Sequence, residues 1–203
     1  MIEAGKKLQE KQQKNQAKDD AESVKKYSSS LYNDNNSAFI GSGNGKIDIV
    51  EFFDYNCGYC RVVAPHVIKL TTENKNIRVI NKEVAILSPS SEVSARASIA
   101  VHHIAPEKYT QFYSELLHYN GDKGEKAVRD VAAKLGLDGD KIMTESKKEK
   151  YLNILVSHHE LADKLRITGT PAFIINNKIY RGAMRYEDLK KAVEEEYKQQ
   201  AKD

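Results

Sequence analysis

The residues best suited to chemistry are the two cysteines, Cys57 and Cys60, in the stretch DYNCGYCRVVAP. Two residues separate them, and they lie between an apolar run and a helix-like pattern. A pair with this spacing can bind a metal, close a structural disulfide or exchange disulfides with other molecules. A disulfide between them would close too small a loop to constrain the unfolded chain much. We therefore expect the pair to serve chemistry rather than stability.

A zinc site is not expected at this pair. Structural zinc takes four ligands, commonly two such cysteine pairs or cysteines together with histidines. The nearest histidine, His66, lies on the same predicted helix beyond a proline. The doublets His102-His103 and His158-His159 are expected on helix surfaces or in the core. A two-coordinate Cu(I) site between the two thiolates stays open, because soft ligands suit that ion.

The composition of the 203-residue chain excludes several function classes. With 40% hydrophobic residues the chain can bury a core, and a net charge of +3 gives no case for nucleic-acid binding. The apolar runs are too short to predict a membrane span. The N-terminus lacks the apolar stretch of a secretory signal. Either the protein stays inside the cell or a signal was removed.

The order of predicted elements indicates an α/β fold. A strand at 46–53, a helix at 60–74 and a strand at 77–86 form a βαβ unit. Residues 91 to about 164 are helical throughout. A β-hairpin and a closing amphipathic helix follow, with the two hairpin strands at 172–175 and 178–181. In the first helix we expect the buried side to consist of Val62, Val63, Ile68 and Leu70.

The first 36 residues differ in composition from the rest of the chain. Lys, Glu, Gln and Asp dominate there, and apolar residues are sparse. A thin seam recurs at alternating four- and three-residue spacing, which is typical of a coiled coil; its members are Ala17, Ala21, Val24, Ser28 and Leu31. The segment is either a solvated tail or a helix that assembles with copies of itself.

The position of Cys57 at the start of a helix predicts its role. There its sulfur faces unpaired backbone N–H groups and the positive end of the helix dipole, which favour thiolate over thiol. Cys57 is therefore expected to have a lowered pKa and to act as the nucleophile. Cys60 lies one turn deeper and can attack a mixed disulfide to release the substrate.

Several stretches carry a resemblance to a known family. CGYCRVVAP places Pro65 inside the helix, GTPAF places Thr170 and Pro171 ahead of a strand, and VEFFDYNCGYC places Glu51 six residues before Cys57. Together they resemble DsbA-like thioredoxin-fold proteins, close to the branch of the suppressor-of-copper-sensitivity C proteins. The resemblance implies a thioredoxin domain over 39–203 with an all-helical insertion at about 90–163, and an N-terminal helical oligomerisation extension over 1–38.

The same resemblance implies roles for three further residues. Thr170 and Pro171 would form a cis-proline loop beside Cys57, where an extended substrate strand could pair with the Thr170 backbone. Glu51 would be a buried acid that takes the proton from Cys60. The alternative for Glu51 is a carboxylate at the strand edge that pairs with Lys82.

The residues between the cysteines, Gly58 and Tyr59, bear on the direction of exchange. A histidine in place of Tyr59 would stabilise the Cys57 thiolate and make the pair strongly oxidising. The CGYC sequence with Thr170 before Pro171 also resembles the disulfide isomerase DsbC. We therefore expect a disulfide isomerase that reshuffles non-native disulfides, with a monomeric dithiol oxidase and a Cu(I)-binding copper-tolerance protein as alternatives.

The expected partners follow from that function. The substrates would be misfolded cysteine-containing exported proteins, and a membrane redox partner would keep the pair reduced. The resemblance implies a periplasmic location after loss of a signal peptide, and a homotrimer formed through residues 1–38. The only redox group needed is the Cys57–Cys60 disulfide, with no organic cofactor.

Overall fold

A five-stranded sheet forms the centre of the computed structural model, which describes the backbone of residues 2–200 and the side chains of residues 6–196. Its strands follow the order β1-β3-β2-β4-β5. They are β1 Phe39–Gly41, β2 Ile47–Phe53, β3 Ile77–Glu83, β4 Ala172–Ile175 and β5 Lys178–Arg181. β2 pairs in parallel with β3 and antiparallel with β4, so the predicted central strand is confirmed. Strand β1 had no sequence signal among our expectations.

Nine helices surround the sheet in the part of the chain that the structure describes. Two precede the first strand, one follows β2, five lie between β3 and β4, and one closes the chain. Their bounds are α1 Ile2–Lys26, α2 Ser28–Tyr32, α3 Gly58–Glu73, α4 Pro89–Ile104, α5 Tyr109–His118, α6 Glu125–Lys134, α7 Gly139–Ser146, α8 Glu149–Lys164 and α9 Tyr186–Gln200. The predicted order of a βαβ unit, a helical stretch, a β-hairpin and a closing helix is confirmed, and five helices form the insertion between β3 and β4.

Two local expectations are wrong. Strand β3 ends at Glu83 rather than at residue 86, because the carboxylate of Asp54 accepts hydrogen bonds from the backbone N–H groups of Ile86 and Leu87 and draws them out of the sheet. In α3, Val63 and Leu70 are buried, but Val62 is 60% exposed. Neighbouring helical residues differ by about 100° around the axis, so both valines cannot face the sheet.

The N-terminal helices change character near residue 20. Residues 6–19 are exposed along their length. Beyond them, Val24 and Leu31 are buried in an apolar cluster with Val50 and Phe52 of β2. These two members of the proposed coiled-coil seam are therefore covered by the chain's own domain and are not free to face another copy.

An ion pair also joins α1 to the far edge of the sheet. The guanidinium of Arg181 on β5 donates to both carboxylate oxygens of Asp20, at 2.7 and 3.0 Å. Two-point contact with a carboxylate fixes the geometry more firmly than a single bond. Among the described residues, no helix is both long and apolar enough to cross a membrane.

We expect Leu31→Ala to lower the free energy of unfolding by about 2–5 kcal/mol, because it removes a fully buried side chain from a packed cluster. The matched variant Leu8→Ala, at a side chain that is 58% exposed, should change it by less than about 0.5 kcal/mol. Denaturant unfolding measures both, and equal effects would show that the segment around Leu31 is not part of the domain.

Candidate active site

Cys57 is the N-cap residue of α3. Its sulfur accepts a hydrogen bond from the backbone N–H of Cys60 at 3.3 Å. In the protonated form, its thiol donates to the carbonyl oxygen of Thr170, also at 3.3 Å. Hydrogen bonding to Cys60 lowers the pKa of Cys57 to about 6 against the opposing effect of partial burial, and the side chain of Thr170 and the backbone N–H of Tyr59 lower it further. Cys57 thus carries a thiolate at neutral pH, as the helix position predicts.

Cys60 differs from Cys57 in its environment. Its side chain is fully buried, and burial raises its pKa far above the ordinary range for a thiol. The hydrogen bond to Cys57 and the nearby carboxyl of Glu51 raise the pKa further. The site therefore pairs one ionised sulfur near the surface with one protonated sulfur in the core.

Glu51 lies on β2 beneath this pair and is fully buried. Its two carboxylate oxygens accept from the hydroxyl of Tyr113, at 3.0 and 3.3 Å. Burial raises the pKa of Glu51 to about 8, and the negative charges of Glu83 and Cys57 act in the same direction. A carboxyl group in this state can hold or release a proton near neutral pH.

The strand-edge alternative for Glu51 is wrong. Lys82 faces the other side of the sheet, where its ammonium group donates to the backbone oxygen of Ser30 and to the side chains of Asp34 and Ser37. Side chains alternate between the two faces along a strand. In the register of the sheet, Lys82 lies opposite Phe52, and Glu51 opposite Asn81.

The loop before β4 forms the other wall of the site. The Thr170-Pro171 peptide bond is cis, and the Thr170 carbonyl is the group that touches Cys57. Gly58 opens α3, where an added Cβ would meet no atom within 4 Å, and Tyr59 is 69% exposed. The structure therefore brings the predicted residues together around one sulfur, with Gly58 and Tyr59 on the solvent side and Glu51 on the core side.

A protein-family model described as thioredoxin matches residues 33–195 of this chain. The chain belongs to the thioredoxin family. It is similar to disulfide bond formation protein D from Bacillus subtilis (strain 168), with 24% identity over 169 residues that cover 78% of this chain and 76% of the relative.

Two solved structures resemble this thioredoxin-family protein over most of its length. The catalytic domain of Proteus mirabilis ScsC is 27% identical with a TM-score of 0.80, and the match covers 87% of this chain and 97% of that one. The thiol-disulfide exchange protein α-DsbA2 from Wolbachia pipientis is 25% identical with a TM-score of 0.82, covering 88% and 96%. The resemblance to DsbA-like and ScsC proteins is confirmed, and the chain is a thiol-disulfide oxidoreductase of that type.

In the part of this thioredoxin-family protein that the structure describes, no histidine forms a hydrogen bond with either sulfur. A ring nitrogen of His66 contacts the backbone oxygen of Met184 at 3.1 Å, and His158 is buried in the core. The described residues contain no group of three or more His, Cys, Asp or Glu side chains arranged to hold a metal ion. Any Cu(I) ion would therefore have to rely on the two sulfurs.

Asp54 has a structural role that the sequence did not indicate. Its buried carboxylate accepts from the backbone N–H groups of Asn56, Ile86 and Leu87 and from the hydroxyl of Ser91. These bonds tie the turn before Cys57 to the start of α4. The sequence analysis also missed Glu83, although its spacing on a buried strand placed it on the same face as Asn81.

The lowered pKa of Cys57 predicts how the stability of the reduced protein depends on pH. The folded-state pKa, about 6, lies below the ordinary value of about 9, so the thiolate adds stability that is fully present above pH 9 and lost as pH falls through 6. The difference in unfolding free energy between the wild type and Cys57→Ser should grow from pH 6 to pH 9. Parallel pH curves for the two proteins in reducing denaturant titrations would contradict the assignment.

Proposed function

We propose that this oxidoreductase is a disulfide isomerase that reshuffles non-native disulfides in exported proteins. The observation that supports this most strongly is the contrast between its two sulfurs. Cys57 is ionised beside an open surface, and Cys60 is buried with a raised pKa. An isomerase needs a nucleophile that attacks readily. It also needs a second thiol that resolves the mixed disulfide slowly, so that a substrate thiol can attack first.

The reaction begins at Cys57. Its thiolate attacks one sulfur of the substrate disulfide, a Cys57–substrate bond forms, and the other substrate sulfur leaves with the electron pair of the broken bond. A different substrate thiolate can then attack the mixed disulfide, which makes a new substrate disulfide and restores the Cys57 thiolate. No net oxidation or reduction takes place in that cycle.

The competing exit uses Cys60. Its thiol must first lose a proton, and Glu51 is the buried group that we assign as the acceptor. The Cys60 sulfur then attacks Cys57, and the substrate leaves reduced. Because burial keeps Cys60 protonated, this exit is slower than attack by an ionised thiol, which prolongs the mixed disulfide. After such an exit the pair must be reduced again, and we assign this task to a membrane redox partner.

The surface around Cys57 fits an unfolded polypeptide. The Thr170 backbone lies beside the sulfur, where an extended strand can pair with it. Exposed apolar side chains occur on the elements that adjoin the site; they are Tyr59 and Val62 of α3, and Ile86 and Leu87, whose backbone bonds to Asp54. Unfolded proteins expose apolar side chains, so such a surface can bind many substrates without a specific sequence.

The exposed part of α1 supplies the means of assembly in this proposal. Residues 6–19 form an exposed stretch of helix, and a helix of about this length is only marginally stable by itself in water. Association of copies through this stretch would bury its sparse apolar side chains and place several active sites around one space. We propose a trimer that works in the periplasm, where disulfides persist.

We expect a chain that begins at residue 16 to lose isomerase activity while it still reduces small disulfides. This cut removes most of the exposed helix but keeps Asp20, Val24 and Leu31, which the domain needs. Recovery of a scrambled disulfide protein measures the first activity, and light scattering should show a trimer for the full chain and a monomer for the shortened one. Cys57→Ser is the inactive control.

The outcome of that experiment also separates the alternatives. A full-length monomer with unchanged refolding activity after the cut would exclude the assembled isomerase and favour a dithiol oxidase. Copper(I) titration of the reduced protein tests the remaining alternative, the copper-tolerance protein. Binding no tighter than that of a free dithiol would exclude it.

We expect Tyr59→His to shift the pair towards oxidation. An imidazolium at this position, at the start of α3, would stabilise the Cys57 thiolate. Each pKa unit by which Cys57 falls should raise the reduction potential of the pair by about 30 mV. Equilibration with glutathione measures the potential, and Tyr59→Phe is the matched control. The proposed role of Tyr59 fails if the two variants have the same potential.

A further inference from the structure

A second buried acid, Glu83, lies next to Glu51 in the sheet. Glu83 is fully buried on β3, two residues after Asn81, which is the register partner of Glu51. One carboxylate oxygen, Oε1, accepts from the hydroxyls of Tyr109 at 3.2 Å and Ser98 at 3.3 Å. These hydroxyls satisfy Oε1 and leave Oε2 without a hydrogen-bond donor among the described residues.

The other oxygen of Glu83 faces a buried histidine. Glu83 Oε2 and His158 Nδ1 lie 3.5 Å apart. Both atoms are buried, and neither atom has a hydrogen-bond partner among the described residues. Two lone pairs at this distance away from water would repel each other. A proton between the two atoms resolves the conflict. Burial lowers the pKa of His158 to about 4 and raises that of Glu83 to about 7, so Glu83 is the member that carries this proton.

The far side of His158 leads to the N-terminal segment. His158 Nε2 contacts the hydroxyl of Ser37 at 3.0 Å, and that hydroxyl donates to Asp34 at 2.7 Å. Lys82 donates to both of these side chains, which gives the cluster one fixed ion pair. Asp34 lines an open cleft of about 380 Å³ between α2 and α8, so the cluster reaches solvent at this end.

The charged and titratable groups around Glu83 come from every element packed against it. Lys82 is its neighbour on β3, and Glu51 and Tyr55 come from β2 and the turn that follows it. Tyr109 comes from α5 and His158 from α8, with Asp34 behind His158. Glu51 is the acid among these groups that lies on the Cys60 side.

We propose that Glu83 and His158 share one proton, which Glu83 releases as pH rises, and that the negative charge then left on Glu83 raises the proton affinity of Glu51. The inference rests on the proposed role of Glu51 as the acceptor for the Cys60 proton. In that step the Cys60 proton moves to Glu51, the electron pair of the Cys60 sulfur forms the bond to Cys57, and the substrate sulfur leaves with its own pair. Glu83 acts through Glu51 and is a positioning residue.

The direction in which Glu83 shifts the pKa of Glu51 follows from the repulsion between their negative charges. Two carboxylates in one buried space cannot both ionise without repulsion, so an ionised Glu83 makes Glu51 hold its proton more tightly. The pKa of Glu51 is raised to about 8 and that of Glu83 to about 7, with burial as the main cause for each. A neutral residue at position 83 should therefore let Glu51 accept the Cys60 proton at lower pH.

Glu83→Gln tests the proposal, because it keeps the size of the side chain and removes its charge. A reduced protein treated with an aromatic disulfide releases one coloured thiol when Cys57 attacks and a second when Cys60 resolves the mixed disulfide. The rate of the second release should rise with pH through the Glu51 midpoint. We expect that midpoint to fall by about one pH unit in Glu83→Gln.

Two further variants serve as controls. Glu196→Gln alters another buried glutamate, which lies on α9 and bonds to Asn176 and Lys178, so it should leave the pH profile of the second release unchanged. Ser98→Ala removes one donor to Glu83 and should lower the midpoint by less than Glu83→Gln does. Ser98→Ala gives the decisive measurement if Glu83→Gln does not fold.

The outcomes separate this inference from the proposed function. Glu51→Gln should abolish the pH-dependent rise of the second release; if it does not, the assigned role of Glu51 is wrong and the inference fails with it. If Glu51→Gln abolishes the rise while Glu83→Gln and Ser98→Ala keep the wild-type midpoint, the role of Glu51 stands and the inference alone is overturned. A midpoint that moves to higher pH also overturns it.

Discussion

The chemistry of this protein depends on the different surroundings of two thiols at the start of one helix. Cys57 caps α3 and receives hydrogen bonds that favour its ionised form, and Cys60 lies one turn along in a dry core that disfavours ionisation. The spacing of two intervening residues places Cys60 one helical turn beyond Cys57, so that its backbone N–H bonds to the Cys57 sulfur. Every other feature of the site acts on this difference.

The rest of the fold keeps the two sulfurs in these different surroundings. The central strand β2 carries Glu51 beneath the sulfurs, and the loop before β4 brings the Thr170 carbonyl to Cys57. The carboxylate of Asp54 fixes the turn that leads into α3. The helical insertion contributes Tyr113, whose hydroxyl bonds to Glu51, so the insertion takes part in the chemistry as well as covering the sheet.

The N-terminal segment has two parts with different physical roles. Its first part, residues 6–19, is exposed helix. Its second part packs on β2 through Val24 and Leu31, and further along it places Ser37 and Asp34 against His158. The second part is thus in contact with the buried polar groups that lead to Glu83 and Glu51.

Much of the fold and of the site could be predicted because its signals are local. The βαβ pattern predicted the sheet core, and the position of Cys57 before a helix predicted its lowered pKa. The errors arose where tertiary contacts decide. Periodicity could not tell Val62 from Val63, and β3 ends three residues before Ile86 because of hydrogen bonds to Asp54, which is distant in sequence. Glu83 escaped notice because a buried acid has meaning only through partners such as His158, and those partners come from other elements.

Separate titration of the two cysteines is the most direct test of this account. Carbon-13 labelling of the cysteine Cβ atoms lets NMR follow each thiol in the reduced wild-type protein. We predict that Cys57 titrates near pH 6 and that Cys60 stays a thiol beyond the ordinary midpoint of about 9. If both cysteines titrate together near pH 9, the contrast between the two sulfurs does not exist and the account is contradicted.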